Sequence, residues 1–446
     1  MTPPPPSAPT AIAARRVFLD GAFSAATVRV TDGLVRAVEA FDPSADVVLD
    51  DSHVLLPGLV DSHVHLNEPG RTDWEGFATG TAAAAAGGIT TVVEMPLNSV
   101  PVTTDPGALA VKREAARGKL AVDVAYWGGA VPENLGALGP LLDAGVVGVK
   151  CFLAPSGIDE FGHLDAGQLE AALAELAPRD GLLIAHAELE EHVGEAVGPV
   201  FRDFVASRPP AGEVAAIRLV IEAARRTGAR AHIVHVAAAA ALDDVRAARA
   251  EGVRLTVETC PHYLTLRAED VPDGAGTFKC CPPIRDGANQ DALWEGVLDG
   301  TIAAIVSDHS PATADLKQRP DLGEAWGGIA GVQTGLSAVW TEARRRGIPL
   351  ERILPAFTTG PAEIVRLPDL GRIAPGAPAH LVVFDPDAEY TLDAAELEYR
   401  NKLSPWHGAV LRGAVAATYL RGELVYRRGE GVRARAGRDV LAAQAS

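Results

Sequence analysis

The sequence predicts a (β/α)8 barrel carrying a small β-sandwich domain built from both chain termini. Three observations lead there. Eight apolar, strand-like runs alternate with Ala- and Leu-rich helical stretches through the middle of the chain. Near-continuous apolar strands imply a parallel sheet buried on both faces, and eight βα units in about 300 residues is the arithmetic of a barrel. At both ends the texture changes to short alternating strands broken by turns, with no long helix. A doubly wound open sheet is the competing arrangement, but the glycine-rich phosphate loop usual in that fold is missing here.

Residues 1–9 are Pro-rich and read as a disordered tail, with no apolar core of a signal peptide. RRVFLDG, ATVRVTDG, LVRAVEA and DVVLDD then read as short strands. The barrel strands are expected at LLPGLVDSHV (55–64), ITTVVEM (89–95), LAVDVAYW (120–127), VVGVKCF (146–152), GLLIAH (181–186), RAHIVHV (230–236), VRLTVET (253–259) and TIAAIVSD (301–308). Helical patterns such as residues 165–177 and 212–226 lie between them. GRIAPGAPAHLVVFDPDAEYTL and GAVAATYLRGELVYRRG restore the β texture. The expected division is a composite sandwich of 10–56 and 369–446 around a barrel of 57–368.

Bulk composition narrows the function. The chain has 446 residues, 48% of them hydrophobic, and a formal net charge of −18. An acidic surface argues against a nucleic-acid or membrane partner, and no apolar run approaches the roughly 20 residues of a membrane helix. Four cysteines without a CxxC pair make neither a disulfide framework nor a cysteine zinc site. A reducing, cytoplasmic compartment fits.

In a (β/α)8 barrel, catalytic groups sit at the C-terminal ends of the strands. His63 and His65 end the first, Lys150 lies near the end of the fourth, and His186, His235 and Asp308 end the fifth, sixth and eighth. Residues two apart on a strand point to one side, so His63 and His65 can converge on one ion. Lys150 has two readings: it snorkels away, or its neutral amine, favoured by burial, takes up carbon dioxide to form an anionic carbamate that bridges two metals.

PGLVDSHVHLNEPG, AAAGGITTVVEMPLNS, VGVKCF, IAHAE, IVHV, ETCPHYL, KCCPPIR and SDHSP together resemble the cyclic amidohydrolases, the family of dihydroorotases, hydantoinases and allantoinases. The resemblance runs from the N-terminal β piece to about Arg421. It implies a binuclear centre: His63, His65 and Asp308 on one divalent metal, His186 and His235 on the other, and carboxylated Lys150 between them. Zinc is the first expectation for the metal; cobalt, iron and manganese also suit imidazole and carboxylate ligands. It implies attack by a metal-bridging hydroxide, with Asp308 as general base and then general acid. It also implies a homo-oligomer, a tetramer or a dimer.

Three positions discriminate substrates within the family. Dihydroorotases carry Arg where this chain has Asn67, which disfavours a carboxylated ring because Asn cannot replace the bidentate grip. Asn98 matches a second substrate-side asparagine only with a shift of one residue. Hydantoinases carry a tyrosine five residues beyond the bridging lysine, where this chain has Pro155. HLNEPGRTDWEGF, KCFLAPSGIDEF, KCCPPIRD and AWGGIAGVQ resemble the allantoinase subgroup. Its substrate, allantoin, is a neutral hydantoin ring bearing a ureido arm, and main-chain groups near Cys281 and Gly327 are expected to hold the ring, with no arginine clamp. His309 is expected either to touch substrate or to support the site, and His262 to support the site or pack a loop. His232 and Cys151 read as structural. Dihydroorotase and hydantoinase activities remain the alternatives. Non-catalytic relatives lose the metal ligands, and here all six positions are intact.

Overall fold

The computed structural model describes residues 10–441, so the expected tail, residues 1–9, lies outside the described residues. All eight expected barrel strands form: Leu59–Val64, Ile89–Glu94, Asp123–Tyr126 (continuing through Gly128–Gly129), Val149–Phe152, Leu182–His186, Arg230–Ile233, Leu255–Thr259 and Ala304–Ile305. Every neighbouring pair is parallel. The Gly128–Gly129 stretch carries the third strand over to the fourth, through Gly128 N–H to Gly148 O at 2.9 Å. A parallel bridge between Val64 and His309 closes the ring, with His65 N–H donating to His309 O at 2.8 Å.

Local signals explain the helices. Ala166–Leu176 starts where the Asp165 side chain accepts from Gln168 N, with Gln168 answering back in a capping box. Pro210–Thr227 places a proline in its first turn and ends at Gly228, whose φ of 69° is left-handed. The alanine-rich helix Phe77–Ala86 has almost no exposed face. It is wedged between the barrel and the terminal sheet, where Thr418 Oγ1 donates to Ala85 O at 2.7 Å. A helix apolar all round is a buried one, and alanine fills this gap without forcing the layers apart.

The terminal segments form one nine-stranded mixed sheet. Leu381–Thr391 and Val54–Pro57 pair antiparallel at its centre and join the C-terminal strands to the N-terminal ones. The sheet folds over its own core of Ile12, Val17, Val28, Leu55, Leu381 and Tyr419, which makes the sandwich. Past this sheet the chain returns to the barrel, where Arg438 N–H donates to the Asp123 carboxylate at 2.7 Å and Val440 N–H to Val124 O at 2.8 Å.

Candidate metal centre and active site

His63, His65, Lys150, His186, His235 and Asp308 come together at the C-terminal end of the barrel strands, all of them buried. His235 and Asp308 each have a φ of 42°. Left-handed backbone at a side chain with a Cβ is strained and is retained where it aims a functional group. Here it turns both side chains inward from the ends of the sixth and eighth strands.

Hydrogen bonding tests whether this set fits metal ions. His63 Nδ1 lies 2.7 Å from Glu258 Oε1, and a carboxylate only accepts, so Nδ1 carries the proton. The Nε2 lone pair then faces Asp308 Oδ1 at 3.1 Å, and His65 Nε2 faces the same oxygen at 3.6 Å. A His63 lone pair opposed to a carboxylate oxygen at 3.1 Å needs a cation, a proton or a metal ion, between them. The ligand atoms of His63, His65 and Asp308 all lie within 4.8 Å of one another. The second half repeats the logic. His186 Nε2 donates to Glu188 Oε2 at 2.9 Å, which leaves Nδ1 bare, 3.0 Å from His235 Nε2. Lys150 stands at the junction, its Nζ 3.2 Å from His63 Nε2. The donor set fits two divalent ions.

Electrostatics favour ligation. Burial pulls the His65 imidazole down to about 3, lowers His186, and drives His235 well below its ordinary value, so all three are neutral at pH 7. Burial by itself would raise Asp308, but the neighbouring imidazoles, His63 foremost, hold it well below the carboxylate range. Burial brings the Lys150 ammonium down to about 8. Cys260, His262 and Asp308 also lie within 4.8 Å of one another. Burial keeps the Cys260 thiol protonated, which makes it a poor ligand.

A cavity of about 280 Å³ opens above the centre. His65, Lys150, His186, His235 and Asp308 line it; His63 sits behind them, fixed by Glu258. Asn98, Cys281 and Gly327 also line the cavity, as does Pro155.

Asn67, expected near the substrate, and His309, expected either to touch substrate or to support the site, do not line the cavity. Asn67 lies in a left-handed turn with φ of 63°, and its Nδ2 donates to Pro311 O at 3.3 Å. His309 is enclosed, with Nε2 3.2 Å from Glu75 Oε2 and Nδ1 accepting from Gly331 N–H at 3.2 Å. It is a brace between the first and last barrel strands. His262 is buried with neither ring nitrogen hydrogen-bonded, and His232 bridges Thr256 and Glu258.

An arginine also reaches the cavity. Arg208 lines it, with Nη1 2.7 Å from Glu188 Oε2. Reading the sequence missed Glu188, Glu258 and Arg208. Glu188, two residues beyond His186, and Glu258, a lone carboxylate in an apolar strand, left a period-two signal. Arg208 left none. Because Glu258 holds His63 in one tautomer, Glu258→Gln is expected to weaken metal affinity about 10- to 100-fold. Competition against a chelator of known affinity measures this; unchanged affinity contradicts the tautomer argument.

The sequence profile of the amidohydrolase family matches residues 54–425. The chain is 52% identical over 412 residues to an allantoinase of Streptomyces avermitilis, covering 91% of this chain and 92% of that one. It is 46% identical over 389 residues to an allantoinase of Saccharomyces cerevisiae, covering 85% and 84%. Among solved structures, the L-hydantoinase (dihydropyrimidinase) from Arthrobacter aurescens superposes with a TM-score of 0.90 at 29% identity, covering 96% of this chain and 99% of that one. Shared sequence, shared architecture and a binuclear-type donor set at the strand ends place this chain in the amidohydrolase family.

Proposed function

We propose that this enzyme is an allantoinase, opening the hydantoin ring of allantoin by hydrolysis of its cyclic amide to give allantoate. The observation that carries this reading is 52% identity to an allantoinase across nearly the whole chain. The cavity wall supports it. Pro155 stands where hydantoinases place a tyrosine, so that phenolic donor is absent. Cys281 and Gly327, whose main-chain groups would hold a neutral ring, line the cavity.

His63, His65 and Asp308 would hold one divalent ion, His186 and His235 the other, with Lys150 between them as its carbamate. When bound, the metals supply a hydroxide at neutral pH and polarise the scissile carbonyl. This chain's residues do the rest. Glu258 and Glu188 fix the tautomers of His63 and His186, so a lone pair is presented inward. Asp308, ionised at neutral pH, takes the proton of the attacking hydroxide and returns it to the departing ring nitrogen. The ring C–N bond breaks, the nitrogen takes the proton, and the carbonyl carbon becomes the carboxylate of the opened chain. Lys150 has the environment a carbamate needs: at about 8, close to a tenth of its amine is neutral at pH 7, and no carboxylate lies within ion-pair distance of its Nζ among the described residues.

The test is one zinc-loaded preparation assayed on allantoin, dihydroorotate, hydantoin and dihydrouracil. Allantoin is expected to lead by about 100-fold or more in kcat/KM. Turnover of dihydroorotate without allantoin overturns the reading. The same reading expects a homo-oligomer, a dimer or a tetramer. No helix among the described residues is long and apolar enough to cross a membrane.

A further inference from the structure

Arg208 is the group in the cavity wall that the metal chemistry leaves partly unused. It stands just ahead of the helix Pro210–Thr227, and its carbonyl is pinned by Arg285 Nη1 at 2.6 Å. Its Nη1 lies 2.7 Å from Glu188 Oε2, and that same oxygen lies 2.9 Å from His186 Nε2. One edge of the guanidinium is therefore committed to supporting a metal ligand. Nε and Nη2 have no hydrogen-bond acceptor among the described residues. They are not sealed in protein either, since Arg208 forms part of the cavity wall and is 19% exposed.

Its position is also distinctive. Arg208, Lys279, Gly323 and Glu324 line both the cavity above the metal centre and a second, outer cavity of about 320 Å³. Lys279, the other cation of this partition, is occupied by Ala325 O at 2.6 Å. Arg208 thus offers open N–H donors in the wall shared by the cavity above the metal centre and the outer one.

A guanidinium edge asks for an oxygen acceptor. A carboxylate would satisfy it, but the positive charge is already balanced by Glu188 at 2.7 Å, and a second carboxylate would face that anion. A neutral carbonyl accepts the same donors without adding charge. We propose that Arg208 is a specificity-determining residue whose Nε and Nη2 donate to the carbonyl oxygen of a ureido arm on the substrate ring. The cavity thereby favours ureido-substituted rings over bare ones. This inference rests on the allantoin reading and names the group that would recognise the arm.

The experiment compares Arg208→Gln and Arg208→Lys with the wild type in the metal-loaded enzyme. Three quantities are read: kinetics on allantoin, the inhibition constant of unsubstituted hydantoin, and metal content by elemental analysis. Losing a hydrogen bond from a charged donor is expected to lower kcat/KM on allantoin about 10- to 100-fold, mainly through KM. The effect on hydantoin is expected to be about tenfold smaller or less, with about two metals per chain retained. Arg208→Lys keeps a charge for Glu188 but loses the planar fork, so it should show the same selective loss. Equal losses for allantoin and hydantoin, or a drop in metal, overturn the proposal, because Arg208 would then act through Glu188 and His186. Unchanged allantoin kinetics overturn it as well. A wild type inert on allantoin overturns both this inference and the allantoin reading; an active wild type with unaffected variants overturns this one alone.

Discussion

Lys150→Ala is expected to lose about 10⁴-fold or more in kcat, with metal content falling from about two per chain to one or fewer. The side chain lies where the two ligand halves meet, 3.2 Å from His63 Nε2. Lys150→Arg is the informative companion, since a guanidinium keeps the charge and cannot form a carbamate. Elemental analysis and turnover on allantoin read both variants. Full metal and full activity in Lys150→Ala would sink the bridging role. The metal-free protein supplies a separate check. Burial lowers the folded-state value of Lys150 from 10.5 to about 8, so between these values the unfolded chain binds more protons and stability rises with pH. The span corresponds to roughly 3 kcal/mol. Apo Lys150→Ala should lack that rise, and denaturant melts at pH 8 and pH 10 will show whether it does.

Asp308→Asn is expected to lower kcat on allantoin about 10⁴-fold or more, since it removes a proton carrier and an anionic ligand together. The near-isosteric amide keeps the size of the carboxylate but cannot take the proton. Because the wild-type carboxylate is held well below its ordinary range by His63 and its neighbours, it stays ionised through neutral pH. The defect should therefore be flat from about pH 6 to pH 9. Metal content measured alongside separates lost ligation from lost proton transfer. A variant with both metals and near-normal kcat would remove Asp308 from the mechanism.

Strand order and the cluster of candidate ligands were legible for a simple reason. Parallel barrel strands must be apolar along their length, so each polar residue at a strand end stood out: His63, His65, Lys150, His186, His235 and Asp308. A period of two and a common end of the barrel were enough to group them before any contact was known. The terminal sandwich was legible for a related reason. Each end piece has strand texture, and neither is long enough to bury a core alone.

The substrate side was legible only in part. Asn98, Cys281 and Gly327 do line the cavity. Asn67 and His309 lie next to ligands in the chain and still point elsewhere, because partners distant in sequence claim them. Pro311 takes the Asn67 amide, and Glu75 and Gly331 take the His309 ring. Arg208 reaches the cavity from a loop 22 residues beyond His186, with a side chain long enough that no local period reports its direction.

By itself, then, the sequence determined the barrel, the two-ended sandwich and the six polar groups gathered at the strand ends, because strand periodicity and apolar burial act between near neighbours. Only the tertiary structure decided which tautomers His63 and His186 hold, which polar groups line the cavity, and that a guanidinium stands in its wall. Those outcomes depend on hydrogen bonds between residues as far apart as His63 and Glu258, 195 positions along the chain, and such partners become neighbours only when the ring of strands closes.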